Sequence, residues 1–521
     1  REKMLKLLFV VGLMLCFQIS EAYKVLVVFP LPGKSHGILG SAIVKHLLNY
    51  GYEVTYVTPH IEKNPHPNLN IVDISSNLNM PKYPFSLDVK LLSLHTYINS
   101  LLSVMYFTNY LSVKTLENEN VQKLINDPKQ HFDVIIVEWL FSELLTGLSA
   151  VFDAPLILAA SVEPHWIVTR LIDDALSPAY NSDTFSFNVP PFTFCQRVEE
   201  LWTQIKVLYH MYNDDVERKE YERLLAPVIQ KRGRAPPSFE DVKYNASLVL
   251  GNSHVSLGQA TSLPQAYKSV GGYHVDEEVK PLPKNIQKIM DEAKNGVIFF
   301  SMGSQLNSKD LPDYIKKGIL EVFGSLKQTV IWKFEDDTAN LPDNVHILKW
   351  APQQSILAHP NCVLFITHGG LLSTTEAIHF GVPIIGIPVF GDQFVNVDRS
   401  VKKGYALKVQ LSQSLAEDLK SAVNEILNDK GYLETVKTLS VAYHHRPVTP
   451  SAELVHWVEH VVLTRGAPHL RSHGALVPWY QKMYLDLLAV VIVLLAVVVA
   501  TLIAIWKTIT SKKIHVSKKR N

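Results

Sequence analysis

The sequence predicts an α/β protein of two doubly wound domains facing a cleft, plus one C-terminal transmembrane helix. Three observations predict it. Short valine- and isoleucine-rich runs alternate with helix-period segments twice over, once before residue 271 and again after residue 283. Between the two series lies Gly271 to Pro283, which holds Gly-Gly and Pro-Leu-Pro and reads as a linker. Near the end, Leu487 to Trp506 carries no charge, and about 20 such residues span a bilayer core. A chain of 521 residues is also too long for one ordinary core.

Taken in order, residues 1–22 read as a leader and secretory signal. Met4 is the expected start, Lys6 precedes the apolar run Leu7 to Phe17, and Ser20-Glu21-Ala22 supplies small residues at the cleavage positions. The N-terminal domain is expected over 23–270. Tyr23 to Pro30 is a buried parallel strand, followed by a turn, a helix from about Ile38 to Asn49 closed by Gly51, and a strand Glu53 to Thr58. Strand, helix and strand make a right-handed βαβ unit. Asp133 to Val137 and Leu156 to Ala159 repeat the strand type.

The linker is expected over 271–283 and the C-terminal domain over 284–465. Its strands are Val297 to Phe300, Val330 to Phe334, Val345 to Leu348, Val363 to Thr367 and Pro383 to Ile387, with a helix at Leu311 to Phe323. A juxtamembrane segment, 466–486, leads to the transmembrane helix 487–506. The tail 507–521 carries Lys507, Lys512, Lys513, Lys518, Lys519 and Arg520, and the positive-inside rule puts it in the cytosol. The expectation is a single-pass type I protein with its folded bulk in the lumen.

Composition narrows the function. Apolar residues at 47% and charged residues at 19% describe a globular chain with a membrane component. A formal net charge of +1 argues against a nucleic-acid partner. Cys16, Cys195 and Cys362 lie in different predicted segments, so neither a disulfide framework nor a structural zinc site is expected. Asn245-Ala246-Ser247 is an N-glycosylation sequon, usable in a luminal chain.

The most informative stretch runs from Trp350 to Gln393: W-A-P-Q-Q-S-I-L-A-H-P, then F-I-T-H-G-G-L-L-S-T-T-E-A, then G-V-P-I-I-G-I-P-V-F-G-D-Q. His368-Gly369-Gly370 sits where a strand turns into a helix, so the backbone can approach a pyrophosphate that the helix N-terminus favours. Trp350, at the end of a strand, offers an aromatic face, and Glu376 a carboxylate that can accept from paired ribose hydroxyls. Singly, each is ordinary: a core tryptophan, a solvated helix face, a turn. Together they resemble the signature block of the UDP-glycosyltransferases, the membrane-bound animal branch and its insect-like members in particular.

The resemblance runs from signal to tail and implies the two-domain GT-B fold, with the N-terminal domain binding the acceptor and the C-terminal domain the UDP-sugar. It implies Trp350 as the uracil platform, Gln353 for uracil or ribose, and Glu376 for the ribose. His368, Gly369, Gly370, Ser373 and, from the turn Ser301 to Ser304, Ser304 would meet the diphosphate. Asp392 and Gln393 would bind the sugar hydroxyls, the glutamine as both donor and acceptor. His36, in G-K-S-H-G, is one of 21 histidines, but its context matches the family's catalytic base, and an ordinary pKa of about 6.5 suits that task. Aligning F-D-V-I-I-V-E with the family's strand places the partner acid on Glu138, where Asp is usual. His36 would take the acceptor's proton as its oxygen displaces UDP, inverting the anomeric carbon. Two departures suit an invertebrate member: Leu372 replaces a common Asn, and only Lys268 offers charge shortly before the linker, where Arg is common.

No cofactor or metal is expected, only a UDP-sugar co-substrate, UDP-glucose by resemblance to insect members. The acceptor would be a small lipophilic molecule bearing a hydroxyl, with aromatics such as Tyr97, Tyr106, Phe107, Tyr110, Trp166 and Trp202 as collective lining. Detoxification or conjugation of hormones or pigments would follow. Lys518-Lys519 resembles an endoplasmic-reticulum retrieval signal, and the membrane helix permits pairing into a homo-oligomer. The competing readings are a UDP-sugar- or lipophile-binding membrane protein without turnover, and an oxidoreductase. The latter is weak because the first turn lacks G-x-G-x-x-G.

Overall fold

The computed structural model describes residues 22–62, 65–80, 97–303, 311–335 and 341–518. The expected signal segment through Glu21, Cys16 within it, Ser304, Lys519 and the side chain of Tyr97 lie outside what is described.

Among the described residues, two parallel sheets organise the body. The first has seven strands: β1 Lys24–Val28, β2 Glu53–Thr58, β3 Leu69–Asp73, β4 Val134–Trp139, β5 Leu156–Ala160, β6 Ala246–Gly251 and β7 Tyr267–Ser269, in the order β3-β2-β1-β4-β5-β6-β7. The second has six: β8 Val297–Ser301, β9 Thr329–Lys333, β10 Val345–Leu348, β11 Cys362–Thr367, β12 Ile384–Gly386 and β13 Ala406–Lys408, in the order β10-β9-β8-β11-β12-β13. Both wind outward in two directions from their first strand. The winding reverses between β1 and β4 and again between β8 and β11, and ligands bind at the carboxyl ends of strands flanking such a switch point.

Burial explains why the strands read as continuous apolar runs. Val25 to Val28 and Val134 to Val137 are each no more than 1% exposed, as expected for parallel strands covered on both faces. Each such aliphatic side chain contributes about 1.5–3 kcal/mol on burial.

The helix after β1 is Lys34–Asn49, four residues earlier at its start than the sequence suggested. His36 therefore sits in the helix's first turn and not in the preceding loop. The misleading signal was Gly37, which read as the end of the turn. Gly37 and Gly40 are both needed for close packing: a Cβ at Gly37 would strike the His60 ring, and one at Gly40 the rings of Tyr56 and Phe29. Helix Pro450–Leu463 sends Leu454, Val455, Val458 and Val461 into the apolar core of the first sheet, so the chain returns to its N-terminal half after completing the second sheet. Lys268 on β7 faces this helix, its Nζ 3.5 Å from the Trp457 ring centroid.

Residues 472–521 form a separate compact unit. Its helix Leu485–Lys518 contains Leu485–Thr510, the one helix among the described residues long and apolar enough to cross a membrane. Cys195 is exposed and Cys362 buried, and both are free thiols.

Candidate active site

His36 and Glu138 lie 102 residues apart in sequence but are neighbours in space, because β1 and β4 pair directly. The His36 Nδ1 atom is 2.5 Å from Glu138 Oε1. Ser161, just past β5, donates its Oγ proton to the same oxygen at 2.6 Å. The glutamate side chain is fully buried while the histidine remains partly open. With Nδ1–H held by the carboxylate, Nε2 is left as the basic nitrogen. Burial pulls the His36 pKa down, but the charge and hydrogen bond of Glu138, helped by Asp392, outweigh it and hold the pKa above its ordinary 6.5. Phe141, two residues past β4, adopts a left-handed φ of 57°, uncommon for a bulky residue and a form of strain that collects at functional sites.

The opposite wall comes from the second sheet. Trp350 lies two residues beyond β10, not on its last residue, and is 55% exposed. Its ring is already covered: Lys34 Nζ stands 4.2 Å from the centroid. Glu376, on helix Leu371–Phe380, is buried. Its carboxylate accepts from Gln353 Nε2 at 2.5 Å and Gln354 Nε2 at 3.2 Å, with His274 Nε2 3.6 Å away. Gln353 also reaches Ser373 Oγ at 3.4 Å.

His368 follows β11, and Gly370 caps the helix whose N-terminus faces the cavity. Gly369 takes φ 80°, and side chains at either glycine would strike Val397 or the His368 ring. Burial and the nearby Lys333 push the His368 pKa down to about 4, so the ring is neutral at pH 7. Lys333, at the end of β9, donates to Gly303 O and Glu335 Oε1, each at 2.7 Å. Asp392 precedes helix Gln393–Lys402 and accepts from Asn396 Nδ2 at 2.9 Å; burial raises its pKa. Gln393 departs from its expected role. Its Oε1 accepts from the Val389 and Phe390 amides at 2.9 and 3.1 Å, which leaves the NH₂ as a donor and commits the acceptor to the loop.

One cavity of about 650 Å³ touches all of these: His36, Ser161, Trp350, Gln353, His368, Gly370, Ser373, Glu376, Asp392 and Gln393. Its remaining wall is mixed: Ile38, Leu39, Val104, Leu140, Phe141 and Phe185 form an apolar stretch, with Ser35, Thr184, Asp276, Lys280 and Lys333 elsewhere around it. The aromatic lining expected from the sequence lies elsewhere. Trp166 is core, while Tyr106, Tyr110 and Trp202 are exposed on the surface. Such a cavity can hold a nucleotide against one sheet and present a hydroxyl to a base on the other.

The family model described as "UDP-glucoronosyl and UDP-glucosyl transferase" matches residues 24–520. The chain belongs to the UDP-glycosyltransferase family. It is 34% identical over 484 residues to "UDP-glucosyltransferase 2" of Dactylopius coccus, covering 91% of this chain and 90% of that one. To human "UDP-glucuronosyltransferase 2B7" it is 28% identical over 540 residues, covering 97% of each. The solved structure of CalG4, the calicheamicin glycosyltransferase, superimposes with a TM-score of 0.54 at 16% identity, covering 86% of this chain and all of that one. The two sheets are thus the GT-B fold, and the protein is a UDP-glycosyltransferase of the glucosyl- and glucuronosyl-transferring family.

The geometry also brings to this glycosyltransferase's cavity, or beside the residues that line it, side chains that the sequence reading passed over. Ser161, Gln354, His274, Lys34 and Lys333 all touch the residues named above. Only the Gln-Gln pair after Pro352 and the lysine in G-K-S-H-G carried a signal, each being next to a residue already singled out. Lys333 ends an apolar strand and looks like an ordinary solvated terminus until the fold buries it. Asn245 is exposed immediately before β6. Among the described residues, no group of three His, Cys, Asp or Glu side chains is placed to hold a metal ion.

Proposed function

We propose that this enzyme transfers glucose from UDP-glucose to a hydroxyl of a small lipophilic acceptor, with inversion at the anomeric carbon. The observation that carries this reading is the His36–Glu138 pair opening onto the same cavity as Trp350, Glu376 and Asp392. Glu138 holds Nδ1–H and stabilises the imidazolium, while Nε2 takes the acceptor's proton. The oxygen attacks the anomeric carbon as its bond to UDP breaks. His368, Gly369, Gly370, Ser373, Ser304 and the helix N-terminus receive the charge of the departing diphosphate, and fixed donors of this kind lower the barrier without reorganising.

Trp350 stacks on uracil once Lys34 moves aside, Gln353 contacts the base or ribose, and Glu376 binds the ribose hydroxyls. Asp392 accepts from the sugar and Gln393 donates to it. Lys333 supplies the diphosphate with a donor that the Leu372 position does not. Glucose is favoured because the Dactylopius relative is named for it, and the apolar wall favours a lipophilic acceptor. Residues 23–270 bind that acceptor, 271–283 link, and 284–465 bind the donor, with helix Pro450–Leu463 closing back on the first half. A cleaved signal, a transmembrane helix and Lys518-Lys519 support a reading of the enzyme as a resident of the endoplasmic-reticulum membrane. Its body is luminal, Asn245 is glycosylated, and copies pair through the membrane helix. Detoxification, or conjugation of a hormone or pigment, is the role that fits.

The test is transfer of labelled glucose from UDP-glucose to a simple phenol by membranes carrying wild type or His36→Ala at equal expression. Activity in the wild type that vanishes in the variant supports the reading. Transfer surviving His36→Ala removes the base assignment, and a preference for UDP-glucuronate over UDP-glucose removes the donor assignment.

A further inference from the structure

The Gln354 side chain joins two parts of the molecule that are far apart in sequence. Its Oε1 accepts from the Asp276 amide at 3.0 Å. Its Nε2 donates to the His274 carbonyl at 3.3 Å and to Glu376 Oε1 at 3.2 Å. Both N–H donors and the carbonyl are thereby engaged, and the orientation is fixed. A reversed amide would set N–H against the Asp276 N–H and C=O against a carboxylate. His274 and Asp276 belong to the chain between β7 and β8, which runs from one sheet to the other, and Glu376 is the carboxylate assigned above to the ribose.

The same connecting chain is tied on its other side to the helix that carries the base. Lys45 Nζ donates to Asp276 Oδ1 at 2.6 Å, and His46 Nε2 stands 2.7 Å from the Tyr273 carbonyl. Both belong to helix Lys34–Asn49, which holds His36 in its first turn. The His274 ring is fully buried with Nε2 3.6 Å from Glu376 Oε1, and neither ring nitrogen has a hydrogen-bond partner. An unpartnered buried nitrogen is costly, and a small shift of this segment toward Glu376 would satisfy it.

We infer that Gln354 is a positioning residue that couples the donor's ribose to the chain joining the two sheets. The inference rests on the proposal that Glu376 binds the ribose hydroxyls. Those hydroxyls fix the Glu376 carboxylate, the carboxylate fixes the Gln354 amide, and the amide holds Asp276 and His274 in place. Residues 273–278, and with them the far end of the His36 helix, are therefore held more firmly when the donor is bound. Coupling of this kind is reciprocal, so a firmly held connecting chain also raises the affinity for the nucleotide.

Hydrogen exchange of the full chain in detergent micelles reads the coupling directly. In the wild type, saturating UDP should slow deuterium uptake over 273–278 by about fivefold. Saturating 2′,3′-dideoxy-UDP, which has no ribose hydroxyls to offer Glu376, should leave the uptake unchanged. Gln354→Met should bind UDP about tenfold more weakly and, once saturated, show no protection of the segment. Protection by both nucleotides, or by UDP in Gln354→Met, overturns the inference. So does a wild type that binds UDP without protecting the segment, which leaves the donor reading standing; a wild type that binds no UDP overturns both. If Gln354→Met does not fold, Lys45→Met reads the same connection from its far end. That side chain is half exposed and outside the cavity, so its loss should raise donor KM about twofold, through Asp276. An unchanged KM overturns the inference.

Discussion

The two halves of the cavity differ in how ready they are. On the first sheet, His36, Glu138 and Ser161 form a finished pair and its support, with His36 lining the cavity. On the second, the polar groups are engaged with one another: Gln353 and Gln354 on Glu376, two backbone amides on Gln393, Lys34 over Trp350. The donor must exchange those contacts for its own, so its affinity is a difference between bonds lost and bonds made. The catalytic pair needs no exchange. Substitutions in the first half should therefore act on turnover and be large, and those in the second on donor KM and be smaller.

The largest effect is expected at His36. His36→Ala should lower kcat/KM by about 10²–10⁴-fold, with donor KM little changed. A loss seen in KM alone would erase the distinction between the halves. Glu138→Gln comes next, on the order of 10²-fold, because the amide can hold the ring but cannot balance an imidazolium.

The same variant sharpens the comparison through pH. The base works when neutral, so wild-type kcat/KM should rise with pH through a midpoint above 6.5, the direction in which Glu138 and Asp392 move the pKa of His36. Without Glu138, burial is less opposed and the midpoint should fall. Stability runs the other way. A histidine whose folded pKa is raised contributes stability that is fully present below the unfolded value and lost as pH rises through the folded one. Thermal midpoints of wild type minus Glu138→Gln should thus shrink with rising pH while activity grows.

How far the sequence disclosed all this follows from where each residue lies. The donor wall was legible because most of it occupies one uninterrupted stretch, Trp350 to Gln393. His36 and Glu138 became a pair only through strand-end reasoning, since nothing local ties residues that far apart. The strands missed were β3, β6, β7 and β13; β7 and β13 are three residues long and β3 is half exposed, so hydrophobic runs could not announce those three, whereas β6 is buried throughout and its Leu-Val-Leu run was passed over. Lys333 and His274 were invisible for a related reason. Their importance comes from burial against a partner on another element, and a single sequence does not show partners. The aromatic lining failed because Trp166 packs in the core, while Tyr106, Tyr110 and Trp202 face outward from two different helices.

On the donor side, Glu376→Gln should raise the KM for UDP-glucose by about 10–100-fold, the 1.5–3 kcal/mol of hydrogen bonds to a charged group. Turnover at saturating donor should change little. A fall in kcat equal to the wild-type-to-His36→Ala ratio would mean that Glu376 acts in the transition state and that the two halves are not separable in this way.

The smallest effect is expected at Leu372, where resemblance to vertebrate members would put Asn. Here the leucine lines the cavity and packs, half-buried, against the apolar core of the first sheet. It therefore contacts the opposite half of the molecule as well as the donor site. Leu372→Asn gives up part of that apolar contact, less than the 2–5 kcal/mol lost when a fully buried leucine becomes alanine, so the thermal midpoint should drop. The new amide gains a diphosphate contact, but Lys333 already places a cation beside the Gly303 turn, so donor KM should fall by no more than about threefold. A tenfold fall would show that the diphosphate was short of a partner and that Lys333 does not reach it. In a Lys333→Met background the same Leu372→Asn change should lower KM further than it does alone, because there the amide replaces a contact instead of adding to one.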